Sequence, residues 1–409
     1  KMKKVLSLII LSAALTAGAQ VKPGIEVLRD NGFASLQGKR VGLITNPTGV
    51  DNNLVSTVDI LANAPGVKLV GLYAPEHGVR GDVHAGDKVD GSVDKATGVP
   101  VYSIYGKTLK PTPEMLKDVD VLIYDIQDNG CRSYTFISTM GKAMEACAEQ
   151  GKKFMVLDRP NPISGNKIEG NLVEDSCYSF VSQFPIPYIY GLTPGELARY
   201  LNEEGLIGKG DKVDLEVVPM EGYTRDMDFR ATGMPWVLPS PHMPVPESCF
   251  YYPASGILGE LYQISIGVGY TEPFKLFCAP WIDAEDLAKK LNDRDIPGVR
   301  FRPIHIKPFY STGKGENLGG VETYITDVDK APLSLIQFYV MDQLAQDYPQ
   351  GRLFDSATQA RKNMFDKVVG SKNIRPMFTK RYKVADIEQY WNKDNESFRA
   401  KSSKYHLYK

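Results

Sequence analysis

From Lys39 to about Met220 the chain alternates short apolar runs with helix-like segments, and no other feature restricts its fold as strongly. Strand candidates are Arg40–Thr45, Val67–Tyr73, Val99–Tyr105, Val119–Ile126, Phe154–Leu157 and Leu215–Val218. Between them lie helix candidates at Ser56–Ala64, Pro113–Lys117, Thr135–Gln150 and Thr193–Glu204. Thr193-Pro194-Gly195-Glu196 is a helix start, with an N-cap hydroxyl, proline in the first turn and an acid three residues after the cap. Strands that are short and apolar throughout suit a parallel sheet covered on both faces. The pattern predicts an α/β fold, a Rossmann-like doubly wound sheet domain.

Periodicity fails between Gly222 and Pro253, where Pro235, Pro239, Pro241, Pro244, Pro246 and Pro253 crowd the chain. Proline at that density resists both helix and central strand. The segment is also rich in Trp, Tyr and Met, so it is expected to pack as an ordered crossing between domains. Beyond it, helix candidates at Asp283–Asn292, Ala331–Tyr348, Ala357–Val369 and Val384–Ala400 surround strand candidates at Val299–Lys307 and Gly320–Thr326, a smaller α+β domain. The expected division is a leader at 1–19, a catalytic domain at 20–244 and a C-terminal domain at 245–409 that closes the cleft.

The leader reading rests on basic Lys1, Lys3 and Lys4, an apolar run from Val5 to Leu15, and Ala17-Gly18-Ala19 before Gln20. It predicts an exported chain, periplasmic or secreted. The apolar run is too short to span a bilayer, and no cysteine precedes Cys131, so no membrane anchor is expected. Charges balance at 48 basic and 49 acidic residues, which gives no basic stripe for nucleic acid. The five cysteines are scattered without C-x-x-C spacing, against a zinc site or a disulfide framework. No glycine-rich dinucleotide or phosphate loop follows a strand, and no G-x-S-x-G elbow occurs, so no cofactor and no serine-esterase chemistry are expected. His77, Asp82, His84 and Asp87 imitate a metal cluster but match no ligand spacing; no metal is expected.

Four loops follow four predicted strands and should emerge on one side of a parallel sheet. The first carries Asn46; the second, Pro75-Glu76-His77-Gly78, continues to Arg80. The third holds Asp125, Asp128, Arg132 and Tyr134. The fourth holds Asp158, Arg159 and Asn161, and runs on to Glu169. A cleft of carboxylates, amides, guanidinium groups and an aromatic face suits sugar hydroxyls. Paired carboxylates then point to glycoside hydrolysis, in which one protonated acid serves the leaving oxygen and a second carboxylate acts as base or nucleophile, or a group of the substrate itself participates with Asp125 or Asp128 orienting it. Glu76, on a short braced turn, is the expected general acid. A non-catalytic glycan-binding protein on the same scaffold is the alternative, and an exported esterase or amidase a third reading.

Several motifs occur in a fixed order. They are Gly42-Leu43-Ile44-Thr45-Asn46-Pro47-Thr48-Gly49, Pro75-Glu76-His77-Gly78, Asp125-Ile126-Gln127-Asp128 with Arg132 and Tyr134, and Asp158-Arg159-Pro160-Asn161-Pro162. Glu169-Gly170, Pro235-Trp236-Val237, Ser240-Pro241-His242-Met243-Pro244 and Ala279-Pro280-Trp281-Ile282-Asp283 follow. Together they resemble the bacterial exo-β-N-acetylmuramidase family of NamZ type, from about Gly24 to the C-terminus. The resemblance implies exo-release of N-acetylmuramic acid from peptidoglycan-derived glycans. It implies Glu76 as catalytic acid and Glu169 as a second acid, acting as base or substrate-positioning group. Asn46, His77, Arg80, Asp125, Asp128, Arg132, Tyr134, Asp158, Arg159, Asn161 and His242 are the expected substrate contacts. Arg132 is the first candidate, with Arg159 and Arg80, for gripping the lactyl carboxylate of muramic acid. The chain departs from the pattern at Ser265-Ile266-Gly267-Val268-Gly269-Tyr270-Thr271, where many members have Ser-Glu-Gly-Arg-Gly-Thr. An acid and a guanidinium give way to Ile266 and Val268. Asn is also more usual where His242 stands.

Overall fold

The computed structural model describes residues 20–81 and 92–409. The expected leader, and Asp82, His84 and Asp87 of the metal-like spacing, lie outside the described residues.

Seven strands form the large sheet: β1 (Arg40–Thr45), β2 (Lys68–Ala74), β3 (Ser92–Val93), β4 (Pro100–Ser103), β5 (Val121–Asp125), β6 (Lys153–Leu157) and β7 (Asp214–Val218). Their order is β3-β4-β2-β1-β5-β6-β7, parallel throughout except for the short edge strand β3. The chain winds outward from β1 through β2 to β4, returns to β5 and winds the other way, so the order reverses between β1 and β5. Helices α1 (Gly24–Asp30), α2 (Thr57–Ala62), α3 (Pro113–Leu116), α4 (Phe136–Glu149) and α5 (Pro194–Glu203) cover it. Alternation along the strands explains why both faces are buried. Val41, Leu43, Val121, Ile123, Met155 and Leu157 pack under α1 and α2. Ile44, Leu122, Tyr124, Phe154 and Val156 pack under α4 and α5 on the other face. The predicted capping box of α5 is present at Thr193 and Glu196.

The second domain holds α6 (Ser248–Gly259), the antiparallel sheet β8-β10-β9 built from β8 (Leu276–Ala279), β9 (Val299–Ile306) and β10 (Leu318–Ile325), α7 (Ala284–Asp293) and α8 (Ile336–Asp347). Helices α9 to α13 follow at Leu353–Ser356, Gln359–Val369, Ile374–Arg381, Glu388–Asn392 and Asn395–Ser402.

Two sequence expectations fail here for packing reasons. The proline-rich crossing does not exclude helix up to Pro253, because α6 runs straight through it. Phe250, Ala254, Ile257 and Leu258 are buried on that helix, and Gln337 braces it by donating to the Pro253 carbonyl at 2.8 Å and accepting from Leu258 N–H at 2.9 Å. Burial of an apolar face outweighs the local cost of one missing N–H. Likewise, Val384–Ala400 is not one helix. Trp391 packs into the core of the second domain and Phe398 into that of the first, so the chain must turn between them. The C-terminus then stays on the first domain: the Leu407 N–H donates to Glu196 and the Tyr408 hydroxyl to Asp158.

Candidate active site

Acids at the C-terminal ends of parallel strands meet the N–H groups, hydroxyls and arginines of the segments that follow, and here most are fully engaged by them. Asp125, at the end of β5, is buried and accepts from Arg159 at 2.5 and 3.0 Å and from the Thr57 hydroxyl at 2.5 Å. Arg159 also donates to the Val50 carbonyl. Asp158, after β6, accepts from Gly195 N–H, the Thr193 and Tyr408 hydroxyls and Arg159 N–H, which ties the start of α5 to the sheet. Asp128 accepts from the Tyr190 hydroxyl and Gly130 N–H, and burial pushes its carboxyl up to about 6. Asn46 and Asn161 close their own turns by accepting from Thr48 N–H and Ile163 N–H. These groups lie at the C-terminal ends of β1, β5 and β6, the edge at which an open α/β sheet takes a ligand.

Two further expected contacts lie at the junction between the domains. Glu169 is buried and accepts from Leu333 N–H at 3.1 Å, Ser334 N–H at 2.8 Å and the Ser334 hydroxyl at 2.7 Å, with Lys167 at 3.3 Å. It caps the chain entering α8. Arg132 is 1% exposed and has no carboxylate partner among the described residues. Its guanidinium donates to the carbonyls of Asn171, Ile186, Val368 and Val369, the last two at the C-terminal end of α10. Burial pulls Arg132 down to about 10. Arg80 pairs with Asp94 at 2.6 Å and Asp59 at 2.9 Å, and Tyr134 packs edge-on between Phe136 and Tyr252. Of the residues expected to share one cavity, Glu76 lines the interdomain cavity described below, and Asp125, Arg132, Asp158 and Glu169 are not among its lining residues. All but Glu76 are occupied by structural partners.

Glu76 stands apart. Pro75-Glu76-His77-Gly78 closes a tight turn just past β2, with Gly78 N–H donating to the Pro75 carbonyl at 3.2 Å. His77 takes φ 72°, a left-handed conformation that costs a side-chain-bearing residue about 1–3 kcal/mol. The Thr135 hydroxyl, at the N-cap of α4, donates to Glu76 Oε2 at 3.1 Å, while His77 Nε2 lies 4.0 Å from Oε1. Tyr105 faces the same carboxylate; burial first and the Glu76 charge second hold its phenol far above the usual range.

Glu76 opens on a cavity of about 380 Å³ between the domains. The opposite wall comes from α6 and the loop that follows it, through Tyr252, Glu260, Tyr262, Ile266 and Val268. His242, from the proline-rich crossing, forms the rim with Ser311 and Thr312. Trp236 Nε1 donates to the Met243 carbonyl and locks the turn that carries His242, whose Nε2 contacts the Tyr310 hydroxyl at 2.5 Å. Burial lowers both His77 and His242, with Glu76 opposing the shift at His77 and His77 adding to it at His242. Both shifts favour the neutral imidazole, His77 beside Glu76 and His242 at the rim of the cavity. The departing loop is held in place by Phe309 N–H donating to the Gly269 carbonyl; Gly269 sits at φ 92° with the Tyr310 carbonyl where a Cβ would lie, so only glycine fits.

Sequence reasoning names Glu76 and His242 on this wall and misses Tyr105, Thr135, Tyr252, Glu260 and Tyr262. One signal was available for Glu260: an acid at the C-terminal end of a helix opposes the helix dipole, an arrangement that calls for another reason. No group of three or more metal-ligating side chains occurs among the described residues, and all five cysteines are buried and free. The cavity offers carboxylates, hydroxyls, imidazoles and aromatic edges, the donor set of a site that binds a polyhydroxylated ligand and moves protons on it.

Comparisons with known proteins place this architecture. The family profile described as exo-beta-N-acetylmuramidase NamZ, N-terminal, matches residues 41–247, and its C-terminal counterpart matches residues 250–408. A relative from Bacillus subtilis (strain 168), named peptidoglycan beta-N-acetylmuramidase NamZ, is 46% identical over 389 residues, covering 95% of this chain and 92% of the relative. A crystal structure of a DUF1343 family protein from Bacteroides fragilis NCTC 9343 is 60% identical with a TM-score of 0.92, covering 95% of this chain and 99% of that one. A second from the same organism is 28% identical with a TM-score of 0.76, covering 96% and 99%.

Proposed function

The chain belongs to the NamZ family of exo-β-N-acetylmuramidases, and on that premise we propose that it hydrolyses N-acetylmuramic acid from the non-reducing end of peptidoglycan fragments. The observation that carries this reading is the Glu76 carboxylate, presented on a tight turn to an interdomain cavity. At about 380 Å³ that cavity falls within the size range of pockets for one small ligand. A pocket of that kind suits removal of a terminal residue. Glu76 is the proton-transferring group; Thr135 orients it through Oε2 and leaves Oε1 toward His77. His242 and the hydroxyls of Ser311 and Thr312 serve sugar hydroxyl and acetamido groups. Arg132 is not assigned to the lactyl carboxylate, because its two terminal nitrogens donate to four backbone carbonyls and it does not line this cavity.

The leader-like composition of residues 1–19 supports reading it as an exported enzyme. The test is incubation of the pure protein with a chromogenic N-acetylmuramic acid β-glycoside and with intact glycan strands. Release of the chromogen, and of single N-acetylmuramic acid units from strand ends, is expected. Binding of either substrate without turnover would favour the glycan-binding alternative.

A further inference from the structure

Among the described residues, Glu76 and Glu260 are the two carboxylates that line the cavity. Glu260 stands at the C-terminal end of α6, on the wall facing the Glu76 turn. Asp125, Asp128, Asp158, Glu169 and Glu196 are all tied to donors, as described above, whereas Glu260 has no hydrogen-bond or ion-pair partner among the described residues. The charge that opposes it is Arg361, whose guanidinium lies over the Tyr262 ring at 3.7 Å. Ile264, Ile266, Val268 and Phe274 make that end of the cavity apolar. An acid placed there without a partner loses hydration and gains nothing for the fold.

Building on the muramidase reading, we infer that Glu260 is the second carboxylate of the reaction, the proton donor to the glycosidic oxygen, with Glu76 as its counterpart on the facing wall. Three features support the assignment. Burial raises the Glu260 carboxyl above its ordinary value, with Arg361 opposing, which is the direction a proton donor needs. The C-terminal end of α6 acts in the same direction, because the helix dipole there disfavours negative charge. And Glu169, the partner expected from sequence, is bound to Leu333 and Ser334 away from this cavity.

The step balances without any other reactant. Glu260 gives its proton to the leaving oxygen as the bond from that oxygen to the anomeric carbon breaks. The water oxygen that bonds the anomeric carbon loses its proton to Glu76. Exchange with solvent then returns Glu260 to its protonated state and Glu76 to its ionised state. This moves the acid role expected for Glu76 onto Glu260 and makes Glu76 the base.

The test compares two substrates that differ in their need for an acid: an aryl N-acetylmuramic acid β-glycoside with a nitrophenolate leaving group, and the natural disaccharide, whose leaving group is a sugar alkoxide. Glu260→Gln should lose about a hundredfold or more of kcat on the disaccharide and stay within about tenfold of the wild type on the aryl glycoside. Its melting temperature should not fall, since the side chain makes no bond that the fold uses. Equal losses on both substrates, or no loss on the disaccharide, would overturn the assignment while wild-type turnover keeps the muramidase reading intact. A wild type inactive on both substrates would overturn both.

Discussion

Glu169 accepts the backbone N–H of Ser334 at 2.8 Å and the hydroxyl of the same residue at 2.7 Å, and through this pair a loop of the first domain holds the start of α8 in the second. Trp391 Nε1 donates to the same Ser334 hydroxyl at 2.9 Å, so one small side chain joins three segments. The carboxylate is an interdomain clamp. Glu169→Ala leaves two buried N–H groups without an acceptor and should lower stability by about 2–4 kcal/mol, read as a lower melting temperature. The kcat of the folded fraction should stay within about threefold of wild type, since no substrate-facing group is removed. Lost turnover with unchanged melting would return Glu169 to the chemistry.

Arg132 offers a related test. Its planar fork meets four carbonyls from two domains, and a lysine cannot reproduce that geometry. Arg132→Lys should cost about 2–4 kcal/mol by leaving buried carbonyls unpaired, while KM for N-acetylmuramic acid glycosides stays near wild type. A stable variant with a strongly raised KM would instead assign Arg132 to the lactyl carboxylate.

Asp128 gives a prediction in pH. Its carboxyl is raised to about 6 by burial, against 3.8 for the ordinary group. Between these values the native chain keeps the proton and the unfolded chain loses it, so the native state binds more protons and stability falls as pH rises through the window. The loss amounts to at most about 3 kcal/mol. Asp128→Asn cannot titrate. Chemical denaturation at pH 4 and pH 7 should therefore show the variant gaining stability relative to wild type as pH rises; a difference independent of pH would contradict the assignment.

Much of the fold was legible because burial on both faces of a parallel sheet writes itself into the strands as continuous apolar runs. The six strands expected in the first domain all appear, with ends shifted by a residue or two. What local composition hides is set by contacts distant in sequence. Helix α6 persists through Pro253 because Gln337 and the second core hold it, and β8 is too short to stand out from its surroundings. At the site, Glu76 was legible because Pro75 and Gly78 mark a tight turn after a strand. The roles of Asp125, Asp158 and Arg132 were not, because an acid or arginine at a sheet edge has the same local sequence whether it meets a substrate or a neighbouring chain segment. Glu260 sits in no motif, and only the closing of α6 over the Glu76 turn brings it into the cavity.

The turn itself supplies another test. His77 holds a left-handed conformation that glycine adopts freely. His77→Gly should change stability by less than about 1 kcal/mol, because relief of strain is offset by a more flexible unfolded chain. The same change should lower kcat/KM by about tenfold or more, as the imidazole beside Glu76 is lost and the turn loosens. Full activity with a higher melting temperature would mean the strained histidine has no part in the site.

The most direct test of the account is the Glu76→Gln variant, assayed for release of N-acetylmuramic acid from the disaccharide and from an aryl β-glycoside. The amide keeps the shape of the side chain and can still accept from Thr135, but it can neither take nor deliver the proton. A loss in kcat of about a hundredfold or more is expected on both substrates, with melting temperature unchanged. Turnover near wild type on the disaccharide would contradict the proton-transferring role of Glu76.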